Sequence, residues 1–494
     1  MTAVSDEDER HANRVARASR SRTTWLWIVA GIALSTPALA DEAMGASGSQ
    51  PGDAVPVAPR PAGVPGKRRL SDEDYARKVE GGYVTGVPLF AYDPNLGFGF
   101  GARGYYYYDG HREDPLFAYT PYLHRMFAQA FATTGGAQDH VIDYDAPAFP
   151  DTDYRVRATL EFEAAADWPY FGTGTRSMAP LSFPGAPGKT FSKMSDYQNS
   201  TSAIRANGTT YARYNLYDFQ RPVLQLALER NLLGGVLRSL VGANFSYVKL
   251  HDYTGELVPT DVRDSNGHTV NAPEAQTLLS SDCASGRLLG CSGGWDNVLR
   301  LALSVDTRDF EPDPNVGVYA ELSGEYGTKA LGSQYQYMRL MLSVRGFYSP
   351  IPRYADLVLA VRGLYEIQTA RTPFFSESLL PFIDDDHSGL GGVKTLRGYA
   401  QNRFVGPIIT LTNYEVRWTF LKFHVLKQGV ALIAVPFVDI GRVFDDVGQT
   451  TLAGWKRAQG GGLHIAWNEA TLIVIDYGFS DEDAGLYLNF NHMF

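Results

Sequence analysis

Few residues in this chain have both the type and the spacing to do chemistry. Glu415 lies in Asn413-Tyr414-Glu415-Val416-Arg417, and Asp439 lies in Phe437-Val438-Asp439-Ile440-Gly441. Both runs alternate, and a pleated strand sends successive side chains to opposite faces. Glu415 then shares a face with Asn413 and Arg417, opposite Tyr414, Val416 and Trp418. Asp439 shares one with Phe437 and Gly441. If the bulky apolar side meets lipid, both carboxylates face the interior of a barrel from neighbouring strands. A loop with the sequence Gly391-Gly392-Val393-Lys394-Thr395-Leu396-Arg397-Gly398-Tyr399 precedes them.

The remaining candidates read as structural. Gly99-Phe100-Gly101-Ala102-Arg103-Gly104 matches the dinucleotide fingerprint, but that motif must open a helix, and Tyr105 to Tyr108 favour a strand. Gly97, Gly99 and Gly101 instead thin one strand face where another segment packs closely. Asp384-Asp385-Asp386-His387 reads as a solvated loop. Cys283 and Cys291 are the only cysteines, and in an exported chain they favour a disulfide over free thiols or a metal site. Neither G-x-S-x-G nor H-E-x-x-H occurs. The expectation is no enzyme, no cofactor and no metal.

Residues of this kind must be held by an exported barrel. Five arginines from Arg10 to Arg22 precede an apolar run, Trp25 to Leu34, and Ala38-Leu39-Ala40 supplies a cleavage site. Residues 1–40 thus read as a signal peptide. Residues 41–80, rich in Ala, Pro and Gly at first, read as a flexible periplasmic linker. No stretch reaches the 18 or so apolar residues of a spanning helix, and only a closed barrel otherwise satisfies a backbone in lipid. The 29 Tyr, 26 Phe and 50 Gly suit strands with aromatic girdles. The net charge of −10 argues against nucleic acid.

Sixteen alternating runs follow, near 83–92, 97–108, 117–133, 138–146, 153–168, 208–229, 236–250, 296–306, 316–326, 334–348, 355–369, 407–421, 429–440, 454–467, 471–480 and 485–494. Long loops at about 169–207, 251–295 and 370–406 alternate with short turns, as in outer-membrane barrels. The expected fold is all-β, a 16-stranded antiparallel transmembrane barrel over residues 81–494. Closure would pair Tyr83–Tyr92 with Leu486–Phe494. Gly86 and Pro88 weaken that seam, because Pro donates no ladder hydrogen bond and Gly packs nothing.

At these residues the sequence resembles the BamA/TamA family of outer-membrane barrels, the bacterial surface antigens, over about Tyr83 to Phe494. Arg397-Gly398-Tyr399 matches the family's motif on an extracellular loop that folds into the lumen, and the family's acidic partners fall on Glu415 and Asp439. Asp306-Thr307-Arg308-Asp309, with Pro314 and Gly317, is similar to a family turn. Trp168-Pro169-Tyr170-Phe171-Gly172-Thr173-Gly174 is similar to a loop of many members. His492 departs from the aromatic or aliphatic residue usual there, and residues 41–80 are too few for a POTRA repeat.

The resemblance implies a bacterial outer-membrane protein acting in membrane-protein assembly, or in polypeptide or lipid translocation, through a lateral seam. The alternative is a passive or gated pore, or a surface-binding barrel, for solutes or lipids. The implied partners are outer-membrane lipids, client polypeptides or a separate periplasmic partner, and the barrel-assembly machinery during insertion. Phe494, ending an alternating strand, resembles the insertion signal that machinery reads.

Overall fold

The computed structural model describes Tyr75 and residues 78–494, apart from 94–96, 115, 119, 121, 135, 148, 150–151, 153, 234–235, 310–313, 370, 384–385, 426–427, 468–470 and 491. The expected signal peptide and nearly all of the expected linker therefore lie outside the described residues.

Sixteen strands form one antiparallel sheet in chain order. They are β1 (Gly82–Asp93), β2 (Gly97–Tyr108), β3 (His124–Thr133), β4 (Gln138–Ala146), β5 (Tyr154–Pro169), β6 (Leu216–Leu232), β7 (Leu237–His251) and β8 (Gly294–Asp306). The second half comprises β9 (Gly317–Gly327), β10 (Tyr337–Tyr348), β11 (Asp356–Gln368), β12 (Ile408–Val425), β13 (Gln428–Phe444), β14 (Lys456–Trp467), β15 (Thr471–Phe479) and β16 (Ala484–Phe490).

The strands are amphipathic with the polarity of a membrane barrel. On β8, Leu301 and Leu303 are 56% and 50% exposed, whereas Arg300, Ser304 and Asp306 are buried. On β9, Glu321, Ser323 and Glu325 face inward while Val318 and Leu322 face out. Apolar outside and polar inside is stable only where lipid is the outer solvent.

The sheet rolls around the connection between β11 and β12, residues 369–407. Arg157 of β5 donates to Ile383 O, Arg300 of β8 to Phe382 O and Ser323 of β9 to Pro381 O. From the other side, Asp439 of β13 and Asp476 of β15 accept from Arg397. One loop touches strands from β5 to β15, so the sheet encloses it. Its own core comprises Leu380, Phe382, Leu390, Leu396, Tyr399 and Phe404, packed on Ile409, Leu411 and Val443 of the wall. These apolar side chains take the place of water in the lumen.

Connections are long at this rim and mostly short at the other. Residues 170–215 carry the helix Met194–Thr201 and a cluster of Phe183, Phe191 and Tyr197. The β7–β8 connection, expected as a plain long loop, holds a hairpin, Leu257–Arg263 with Thr269–Pro273, turned at Asn266-Gly267.

Three strands begin or end four or more residues short of expectation. Residues 117–123 lie outside β3, in a stretch that follows Pro115 and contains Pro121, and proline donates nothing to a ladder. Phe117 is instead buried there, with Lys78 over its ring at 4.2 Å and donating to its carbonyl oxygen. Residues 208–215 join the loop that precedes β6. The last strand stops at Phe490, four residues before the expected end.

Candidate functional site

Arg397 is fully buried against the lumen face of β12, β13 and β15. Its planar fork meets Asp439 on both oxygens, with Nε to Oδ2 at 2.9 Å and Nη2 to Oδ1 at 3.0 Å. The remaining nitrogen, Nη1, donates to Glu415 Oε1 at 2.9 Å and to Asp476 Oδ2 at 2.8 Å. The guanidinium lies 3.4 Å from the centre of the Phe437 ring, which covers its face. Such a planar, five-donor group suits several carboxylates at once.

Backbone parity places each partner. Glu415, Asn413 and Arg417 are all buried on β12, while Tyr414 and Trp418 are exposed. Asn413 lies opposite Asp439 in the β12–β13 ladder and donates to its Oδ1 at 2.8 Å. Arg417 Nε donates to Glu415 Oε2 at 3.0 Å. Arg362 of β11 donates to Asn413 Oδ1 and to Lys394 O. Three guanidiniums and three carboxylates thus share the site, so it carries little net charge.

The neighbours of Arg397 make its approach possible. Gly398 takes φ +100° and lies against the Phe479 backbone of β15. Its N–H donates to Tyr487 Oη at 2.7 Å, and its carbonyl accepts from Ser480 Oγ at 2.6 Å. Tyr399 is buried beside Phe404, and its hydroxyl donates to Asp481 Oδ1 at 2.5 Å. Gly441 leaves room for Leu390 and Leu396, since a Cβ there would lie 2.9 Å and 3.2 Å from them. Arg397, Gly398, Tyr399, Glu415, Asp439 and Gly441 are therefore brought together at one place.

Two features are not evident from the sequence motifs. Asp476, whose Oδ1 lies 3.0 Å from His464 Nε2, is a third carboxylate on Arg397. A signal for it exists, because a lone Asp breaks the apolar run Leu472 to Tyr477 on the face that turns inward. Arg403, six residues after Arg397, is buried too and pairs with Glu482 at 2.7 Å. Burial pushes Glu377, an acid of the same loop, up to about 8.

Phe494 is not on the terminal strand. Beyond β16 the chain turns into the lumen, where Phe494 joins Phe347, Val358 and Ala360. Arg417 Nη2 donates to Phe494 O at 3.0 Å, and His492 Nδ1 lies 3.1 Å from His464 Nδ1. The alternation of residues 485–494 holds as far as Phe490, and buried partners then draw the tail inward. Phe494→Ala should lower the temperature at which the folded gel band disappears, since a buried Phe→Ala change costs about 3–5 kcal/mol. Unchanged heat resistance would mean that the tail is not seated there.

The other candidates are structural. Phe131 covers Gly99 and Gly101, where a Cβ would lie 2.5 Å and 3.0 Å from its ring. Cys283 and Cys291 are disulfide-bonded, with Cα atoms 5.9 Å apart. Asp384 and Asp385 lie outside the described residues, and Asp386–Ser388 pairs with Leu379–Pro381 in a short hairpin of the plug. Arg308 donates to Asp306, and Asp309 accepts from the Asn315 amide, within the β8–β9 turn. The β5–β6 loop packs on the plug, with Arg403 donating to Ser177 O and lying 5.1 Å from the Phe171 ring.

Comparison with known proteins adds to this geometry. Residues 61–123 match a domain of unknown function, DUF5982. No curated protein sequence matches the chain. Among solved structures, BamA from Haemophilus ducreyi lacking POTRA domains 1–3 is similar at 12% identity, covering 84% of this chain and 70% of that one, with a TM-score of 0.47. CdiB from Escherichia coli is 10% identical over 83% of this chain, with a TM-score of 0.45. CdiB from Acinetobacter baumannii is 10% identical over 84%, with a TM-score of 0.41. This chain spans 61% and 60% of those two CdiB chains. Residues 136–494, from the start of β4 to the C-terminus, match the Omp85 superfamily domain, and the chain belongs to that superfamily of outer-membrane barrels.

Proposed function

We propose that this barrel acts in outer-membrane protein assembly, or in moving polypeptide or lipid, through the seam between β1 and β16. The observation that carries the reading is an asymmetry between lumen and seam. Residues 369–407 fill the lumen with a buried apolar core and a paired ion network. At the seam, β16 has seven residues and β1 has twelve. Among the described residues no ladder joins the two strands. An unpaired strand edge is a template for another strand, so a client strand would find its donors and acceptors there rather than along the plugged axis.

The proposal includes export by the signal peptide at residues 1–40 and insertion by the cell's barrel-assembly machinery. Its partners are lipids of the outer membrane and client polypeptides. It includes no covalent chemistry, because the charges around Arg397 are engaged in pairing.

Cysteine pairs, one on β1 and one on β16, test it. The locked protein should still show a heat-modifiable folded band. Its ability to promote insertion of a β-barrel client into vesicles should be lost, then regained with reductant. Wild type in the same reductant is the control, since Cys283–Cys291 would open too. Full activity in the locked barrel would overturn the seam and favour a pore.

A further inference from the structure

A cavity of about 220 Å³ remains between the plug and the wall of β5–β10, at the long-loop end of the lumen. That is room for about seven waters at ~30 Å³ each. Four carboxylates line it, those of Glu161, Glu163, Asp296 and Glu325. Two are engaged by guanidiniums: Arg221 pairs with Glu163 at 2.8 Å, and Arg339 and Arg300 pair with Glu325 at 2.6 Å and 3.2 Å. Asp296 differs. It is 5% exposed, and its Oδ2 accepts from Tyr337 Oη and Ser376 Oγ. Its Oδ1 has no hydrogen-bond partner among the described residues. Asn244, 7% exposed on the same cavity, likewise leaves Oδ1 without one.

Besides Glu325 Oε1, which keeps its ion pair with Arg300, two buried acceptors are left unmet in this cavity, one of them on a carboxylate with which no cation pairs among the described residues. Leaving such groups unmet costs about 1–3 kcal/mol each, so the cavity should hold something that donates hydrogen bonds and carries positive charge. The rest of the wall describes its other end. Trp168, Tyr217, Phe219 and Phe375 present aromatic surface, which attracts ammonium groups through their ring faces and packs methylenes. A metal ion fits poorly, because among the described residues no three His, Cys, Asp or Glu side chains are placed to hold one.

We propose that this cavity is a binding site for a small alkylammonium ligand, its N–H groups on Asp296 Oδ1 and Asn244 Oδ1 and its methylene chain against the aromatic wall. The site is separate from the β1–β16 seam, and its occupancy does not depend on how the seam is used.

Calorimetric titration of the purified full chain in detergent with putrescine, and separately with magnesium chloride, tests this. Putrescine should bind saturably near one per chain. Asp296→Asn should weaken it about tenfold or more, the equivalent of one charge-assisted hydrogen bond. Asn244→Leu should weaken it severalfold. A heat-modifiable band establishes that each variant is folded, and if Asp296→Asn fails that check, Asn244→Leu decides. No saturable putrescine binding would leave the cavity to water and overturn the proposal. So would equal binding by wild type and a folded variant, or magnesium binding at the same site as tightly as the diamine.

Discussion

Arg397→Ala should make loop 369–407 protease-sensitive and lower the temperature at which the folded gel band is lost. The Arg397 side chain makes four hydrogen bonds to three carboxylates. Removing one partner of a buried pair costs about 3–5 kcal/mol, because the other charge stays uncompensated. Exposed pairs are worth about 0–1 kcal/mol, and an effect that small would show the network to be superficial. The three acids are not equally vulnerable. Glu415 keeps Arg417, and Asp476 keeps His464. Asp439 keeps a neutral side-chain donor, Asn413. Asp439→Asn should therefore be the most damaging of the acid-to-amide changes and approach Arg397→Ala. Combining Arg397→Ala with Asp439→Asn should cost less than the sum of the singles, since both remove one shared interaction. Strict additivity in thermal melts, or unchanged loop protection in Arg397→Ala, would rule the network out.

Gly398→Ala should come close to that loss without touching a charge. A Cβ at Gly398 would sit 2.7 Å from three backbone atoms of Phe479, and backbone in a sheet cannot swing aside as a side chain can. The φ of +100° adds strain for any residue with a Cβ. The fit is reciprocal, because a Cβ on Gly478 would meet the Arg397 backbone at 2.8 Å. The loop therefore has to lift off β15, which lengthens the bonds from Arg397 to Asp439 and from Gly398 N to Tyr487. Gly461→Ala is the control. It lies on β14 with nothing within 4 Å of where a Cβ would sit, and it should be near neutral. Limited proteolysis and the heat-modifiability curve read both. A Gly398→Ala protein as resistant as Gly461→Ala would refute the close approach.

The strands were legible because their signal is local. Parity along a pleated backbone decides which side chains share a face, and the lipid demands apolar residues on one of them. Leu301 and Leu303 against Arg300 and Ser304 can be read from a few residues, as can Glu415 and Asp439 facing inward. The motif around Arg397 was legible only through resemblance. Nothing local to Arg397 says that it crosses into a lumen.

The amino-acid sequence by itself determined the runs that become the sixteen strands of the large sheet, and the inward face of those that carry Glu415 and Asp439, since these depend on alternation within single runs. Tertiary structure alone decided which inward residues meet. Asp476 lies 79 residues from Arg397 and reaches it because the sheet curls around the plug. Phe494 continues the parity of its strand but leaves the sheet for Phe347 and Arg417. Asp296 keeps an unmet oxygen in a cavity that six strands and the loop 369–407 wall together. Each of these depends on strand stagger and loop path around the lumen, and no property of a single run carries that information.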